Sequence, residues 1–157
     1  MLRVYIETTI PGYLTAKPSR DILLLARQEL TCEWWNKQRY RHQLFVSELV
    51  LIEAGAGSRE AARKRSDMLI KLPVLENTEE AYDIAATLMK SGCLPRKAEQ
   101  DAAHVGLATA HQMDVLLTWN CTHLANPVVM KKMIKIIRGM GYEPPQICTS
   151  LEMMGGK

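Results

Sequence analysis

In the second half of the chain an acidic residue opens a helix, and that helix hands over to a short apolar strand ending in small polar side chains. The acidic helix start is Gln100-Asp101-Ala102-Ala103-His104-Val105, and the strand with its polar end is Asp114-Val115-Leu116-Leu117-Thr118-Trp119-Asn120. Near the N-terminus the strand-like Arg3-Val4-Tyr5-Ile6 runs into Glu7-Thr8-Thr9 in the same way. If such strands are parallel neighbours, acids at their carboxyl ends converge, because ligands bind at that edge of an open α/β sheet. Clustered carboxylates suit hard divalent cations, so the pattern points to a magnesium or manganese site and ranks a metal-dependent nuclease first.

The rest of the chain keeps the same alternation, which favours an α/β fold with a mostly parallel sheet. Residues 3–6 form the first expected strand. After the turn-forming Pro11-Gly12 and Pro18, a helix is expected from Asp21 to Gln38, with Ile22, Ala26, Leu30 and Trp34 along one face. Leu44-Phe45-Val46-Ser47 predicts a second strand, running into a helix from Glu48 to Ala54 that Gly55 and Gly57 interrupt. Another helix is expected over 59–71, and Pro73-Val74-Leu75 is a short third strand. Thr78 is a good N-cap for the next helix, with Glu79 and Glu80 in its first turn, and Ser91-Gly92 ends it. A helix over 98–112, a strand over 114–118, a helix over 128–140 and a final edge strand over 146–149 complete the order.

At 157 residues the sequence fits one domain, 1–157, long enough to bury a core without disulfides or structural metal. Twenty Lys and Arg against 17 Asp and Glu give a net charge of +3, which permits a phosphate-bearing partner without demanding one. Cys32, Cys93, Cys121 and Cys148 are scattered with no CxxC pair, arguing against a zinc ribbon or redox dithiol. There is no signal-like start and no apolar run near the length of a membrane span, so a cytoplasmic protein with reduced thiols is expected.

The candidate acids are Glu7 after the first strand, Glu53 on the helix after the second, and Asp101, with Asn120 as a neutral oxygen donor after the fourth strand. Each also has an ordinary structural explanation: a solvated strand end, a first-turn helix acid, a loop asparagine. Glu48 competes with Glu53. Five helical residues separate them, about 140° around the axis, so both cannot enter one site, and spacing alone does not choose. His104, one helical turn after Asp101, is expected to be a half-buried structural histidine, with contact to substrate or to a ligand residue as the alternative. Lys131, Lys132, Lys135 and Arg138, like Arg59, Arg63, Lys64 and Arg65, are expected to form solvated helix faces. Trp34 continues an apolar stripe toward the core, whereas Trp35 points elsewhere, toward a partner subunit in one reading.

Four segments, Val4-Tyr5-Ile6-Glu7-Thr8-Thr9-Ile10, Val46-Ser47-Glu48-Leu49-Val50-Leu51-Ile52-Glu53, Gln100 to Val105, and Leu116-Leu117-Thr118-Trp119-Asn120, together resemble the four acidic blocks of PIN domains. These are ribonucleases found as toxins of bacterial type II toxin–antitoxin pairs and in RNA processing. The likeness runs in order over nearly the whole chain, and Thr118 to Asn126 resembles a bacterial subgroup. It implies a three-layer α/β/α sandwich and magnesium- or manganese-dependent cleavage of single-stranded RNA. It also implies Glu7, Glu53 and Asp101 as the three acids, with Glu53 preferred to Glu48. Thr118 and Asn120 would complete the site, with Thr8, Thr118 and His123 facing substrate.

Two departures from the family's pattern stand out: Glu7 occupies a position commonly Asp, and Asn120 one often Asp. The first moves a carboxylate by about 1.5 Å, roughly one carbon–carbon bond. The second removes a charge, which favours an alternative: a catalytically silent PIN-like module that binds RNA or a partner protein. An antitoxin and a second copy of the chain are the protein partners considered. The absence of GxGxxG and P-loop motifs leaves a nucleotide-binding domain with little support.

Overall fold

The computed structural model describes residues 1–154. The last three residues of the expected 1–157 domain lie outside that range. Five strands form one sheet: β1 (Arg3–Ile6), β2 (Gln43–Ser47), β3 (Val74–Leu75), β4 (Val115–Leu117) and β5 (Gln146–Cys148). Their order is β3-β2-β1-β4-β5, and every pairing is parallel. The connections are helical: α1 (Thr9–Thr15) and α2 (Ile22–Lys37) join β1 to β2, and α3 (Glu48–Ala54) and α4 (Arg59–Leu69) join β2 to β3. Then α5 (Glu79–Ser91) and α6 (Glu99–Ala110) lead from β3 back to β4, α7 (Pro127–Gly139) leads to β5, and α8 (Ser150–Met153) follows it.

The topology dictates the layers. The chain moves outward from β1 to β3, crosses back to β4 and moves out again to β5, and right-handed crossovers change face when that direction reverses. Accordingly α1 packs on α2 and α4, α8 returns to α2, and α5 packs on α6 and α7. This is the expected α/β fold with helices flanking a parallel sheet. Val4, Ile6, Val46, Leu116 and Leu117 are buried at its centre, as strands covered on both faces must be.

Sequence rules locate most elements to within a residue or two, and the caps show why. Asp21, Ser47, Ser58, Thr78 and Asn126 each accept a backbone N–H in the first turn of the helix that follows. Three expectations need correction. Pro11-Gly12 lies inside α1 rather than in a turn; as the third helical residue, Pro11 supplies no N–H that the helix requires. The stripe on α2 is buried only toward its end: Trp34 is buried, but Ile22 is 79% exposed and Ala26 is exposed. Trp35 is also buried, and its ring lies under the Arg39 guanidinium within the same chain, so it does not face a partner. The short α8 after β5 carries no sequence expectation; its Thr149–Glu152 capping box explains where it starts.

The tightest helix contact is between α5 and α6. A Cβ on Gly106 would stand 2.3 Å from the backbone oxygen of Ala81, a contact that only glycine allows. Gly106→Ala is therefore expected to cost about 1–3 kcal/mol through overpacking. The measurement is a lower denaturant midpoint at unchanged slope; a midpoint equal to that of wild type would show that the two helices part freely.

Candidate functional site

Parallel pairing brings three strand ends to one level. Ile6 is in register with Leu117, and the Glu7 N–H donates to the Leu117 carbonyl, so Glu7 and Thr118 are neighbours just beyond the sheet. On the other side of β1 the register sets Ser47, the last residue of β2, at the same level. The strand order reverses between β1 and β4, and such a switch point is where open α/β sheets place their ligands.

Glu7 is 5% exposed, and one of its oxygens is saturated by protein. Oε2 accepts from the Thr9 N–H at 3.0 Å, the Thr9 hydroxyl at 2.5 Å and the Thr118 hydroxyl at 2.8 Å. Thr9 in turn accepts from the Trp119 N–H, and Thr118 from the Asn120 N–H, so the loop after β4 is tied to the acid after β1. Thr118 is fully buried with its hydroxyl committed to Glu7, which corrects the expectation that it faces substrate. Thr9 was not singled out from sequence, although the Glu7-Thr8-Thr9 run is the signal that identifies it.

Glu53, in the last turn of α3, repeats the arrangement. Its Oε1 accepts from the Thr8 hydroxyl at 2.6 Å and from His104 Nε2 at 2.7 Å. Thr8 therefore holds an acid in this structure while remaining only partly buried. Burial alone raises the Glu53 carboxyl pKa, but the hydrogen bond and electrostatic attraction from His104 and the Thr8 hydrogen bond outweigh it, so the net shift is downward. Glu48, the competing acid, is exposed in the first turn of α3 and takes no part in these contacts. His104 is 1% exposed, more deeply placed than the half-buried residue expected, and it touches an acid of the site directly.

Asp101, in the first turn of α6, accepts from Asn120 Nδ2 at 3.1 Å. The Asn120 amide oxygen takes the His123 N–H at 3.0 Å. Because a backbone N–H only donates, the amide cannot be turned the other way: Asn120 points its NH2 group at Asp101, and its oxygen is engaged by the loop. As placed, it clamps Asp101, where sequence suggested a ligand. Burial pushes the Asp101 pKa up and the charge of Glu53 adds to this, while His104, His123 and Asn120 pull against it. Among the described residues no Lys or Arg forms an ion pair with Glu7, Glu53 or Asp101. Nor do any three His, Cys, Asp or Glu side chains there form a ready-made metal cage.

What the donor set offers is hard oxygen with uncompensated charge. Glu7 Oε1, Glu53 Oε2 and Asp101 Oδ2 carry no protein donor among the described residues, while the other oxygen of each acid is engaged. That chemistry fits a small divalent cation.

No protein-family model and no curated protein matches the sequence. Solved structures do match. VapBC2 from Rickettsia felis, bound to a DNA fragment from its promoter, aligns with TM-score 0.56 at 15% identity, covering 94% of this chain and 98% of that one. VapBC-1 from nontypeable Haemophilus influenzae aligns with TM-score 0.57 at 18% identity, covering 96% and 99%.

The opposite shifts of two neighbouring acids give a pH test. A raised carboxyl pKa means that ionised Asp101 costs stability at neutral pH, and the cost is relieved as pH falls through the raised value. The lowered Glu53 does the reverse: its contribution is present above the unfolded pKa and lost as pH falls through the depressed one. Asp101→Asn is expected to raise the melting temperature at neutral pH, with the gain shrinking toward acid. Equal melting curves across the series would contradict a strained Asp101. Over nearly its whole length, at identities that establish fold alone, this chain has the PIN-like architecture of the VapBC structures.

Proposed function

We propose that this chain is a magnesium- or manganese-dependent endoribonuclease that cleaves single-stranded RNA in the cytoplasm as the toxin of a toxin–antitoxin pair. The observation that carries the reading is the set of three acids at the switch point, each with one engaged and one donor-free oxygen and none paired with Lys or Arg among the described residues. Glu7, Glu53 and Asp101 would hold the ion by side-chain adjustment. With one oxygen of each already engaged, they would offer one oxygen apiece, which suits an octahedral ion better than the two-oxygen grip that calcium favours. When bound, such an ion polarises a phosphate and activates water for in-line attack. The chain's own work is then to hold the acids in place, to orient the loop after β4, and to present His123 beside the phosphate path.

The partner reading rests on the likeness to VapBC assemblies and on one surface. Ile22 and Leu23 are 79% and 71% exposed at the start of α2, with Leu24 beside them, an apolar strip of the kind that marks protein contacts. An antitoxin segment covering this strip would account for it. No described helix is long and apolar enough to cross a membrane.

A second reading, the catalytically silent module, is favoured by Asn120, whose NH2 group faces Asp101 where an acid would add a charge. The deciding experiment is cleavage of a labelled single-stranded RNA by wild type, Asp101→Ala and Asn120→Asp. The proposal expects manganese-dependent cleavage by wild type that chelator stops, that calcium does not replace and that Asp101→Ala loses by at least about 100-fold. Activity appearing only in Asn120→Asp would establish the silent module instead. Equal cleavage by wild type and Asp101→Ala would remove Asp101 from the site.

A further inference from the structure

We infer that Tyr5 and His104 are positioning residues whose buried hydrogen-bond chain fixes which oxygen of Glu53 is presented to the site; the inference rests on the metal-site reading above. Four links run through the interior. Ser47 Oγ caps α3 by accepting the Val50 N–H at 3.2 Å, and it lies 2.7 Å from the Tyr5 hydroxyl. That hydroxyl lies 2.6 Å from His104 Nδ1, and His104 Nε2 lies 2.7 Å from Glu53 Oε1.

The direction of the chain follows from its two ends. The carboxylate only accepts, so Nε2 carries a proton and donates it to Glu53. At the other end Ser47 already accepts from a backbone N–H, so its own proton is available for the Tyr5 oxygen. Tyr5 then donates to a bare His104 Nδ1, and every proton in the chain has an acceptor. In the reverse direction Ser47 accepts twice, and its proton has no acceptor among these groups.

Tyr5 and Ser47 are fully buried and His104 is nearly so, which leaves little room for water to substitute for a link. Burying two hydroxyls and an imidazole is costly unless each is hydrogen-bonded, and apolar side chains would fill the same space without that demand. The arrangement therefore makes sense at its open end. His104 and Thr8 together occupy Glu53 Oε1, which leaves Oε2 as its donor-free oxygen. The two ends of α3 are tied to the same buried tyrosine, the first through Ser47 and the last turn through His104 and Glu53. Residues that orient ligands from behind in this way are commonly worth about 10–100-fold in metal affinity.

The test uses wild type, Tyr5→Phe, His104→Leu and His104→Gln, with thermal melts to establish that each is folded. Nitrogen-15 NMR of the His104 ring in metal-free wild type is expected to show the proton on Nε2 and a bare Nδ1; in Tyr5→Phe the Nδ1 resonance should shift as its donor is lost, while Nε2 keeps its proton, donated to Glu53. Mn²⁺ titration followed by electron paramagnetic resonance is expected to show about 10-fold weaker binding in His104→Leu. Tyr5→Phe should show a smaller loss, and His104→Gln, which keeps a donor near Glu53, should recover part of it. A proton on Nδ1 in wild type, or Mn²⁺ binding by folded Tyr5→Phe and His104→Leu as tight as that of wild type, overturns the inference. Wild type that binds no Mn²⁺ overturns instead the metal-site reading on which it rests, and shows this before any variant is compared. If His104→Leu does not fold, Tyr5→Phe decides alone, since it removes one hydroxyl and keeps the ring.

Discussion

The parallel pairing of β1 with β4 is the constraint on which the site depends. These strands are neighbours in the sheet, although more than a hundred residues separate them in sequence. Their register sets Glu7 beside Thr118, and β2 on the other flank brings Ser47 to the same level. The helices that begin at these ends then carry the remaining groups: α1 brings Thr9 just after its Thr8 cap, α3 brings Glu53, and α6 reaches over with Asp101 and His104. A one-residue slip of β1 against β4 would turn each of its side chains to the other face of the sheet. Glu7 would then lose Thr118, and Tyr5 would lose both Ser47 and His104. The register that buries the central strands thus also assembles the acids.

Three carboxylates brought together without cationic side chains would destabilise the fold if nothing offset them. Here hydroxyls do much of that work. Thr9 and Thr118 on Glu7, and Thr8 on Glu53, supply donors without supplying charge. A lysine in their place would neutralise the site and compete with an incoming cation; a threonine lowers the cost of burial and leaves the negative potential intact. The residual cost falls on Asp101, whose hydrogen bond from Asn120 does not overcome its burial and the charge of Glu53. A strained acid at the mouth of a polar site is the form that a trade between stability and function takes.

The parts of this arrangement visible in sequence are those that local chemistry decides. Apolar runs mark β1, β2 and β4, capping residues mark most helix starts, an acid just after a strand marks Glu7, and an acid opening a helix marks Asp101. Glu53 over Glu48 is not decided by spacing, because the helical wheel excludes their sharing a site without saying which one faces it. Contacts made at a distance were not legible either. Trp35 is buried in the core with the Arg39 guanidinium over its ring, and α2 leaves Ile22 exposed in its first turn. His104 reads in sequence as a half-buried structural residue because its partners, Tyr5 and Glu53, lie 99 and 51 positions away. Pro11-Gly12 is a different case: its dipeptide chemistry suits a turn, but the start of a helix accepts a proline whose missing N–H it does not need.

Asn120 shows how a departure from the expected acid alters the balance at such a site. With His123 donating to its oxygen, the amide has only NH2 to offer Asp101. An aspartate there would set two acceptors against each other beside an acid already raised by burial and by Glu53, and the loop after β4 would be pushed from α6. Asparagine turns that repulsion into a hydrogen bond and joins the loop to the helix. The gain in order comes with one fewer negative charge beside Asp101, so on the proposed metal reading this loop offers less to attract a second cation.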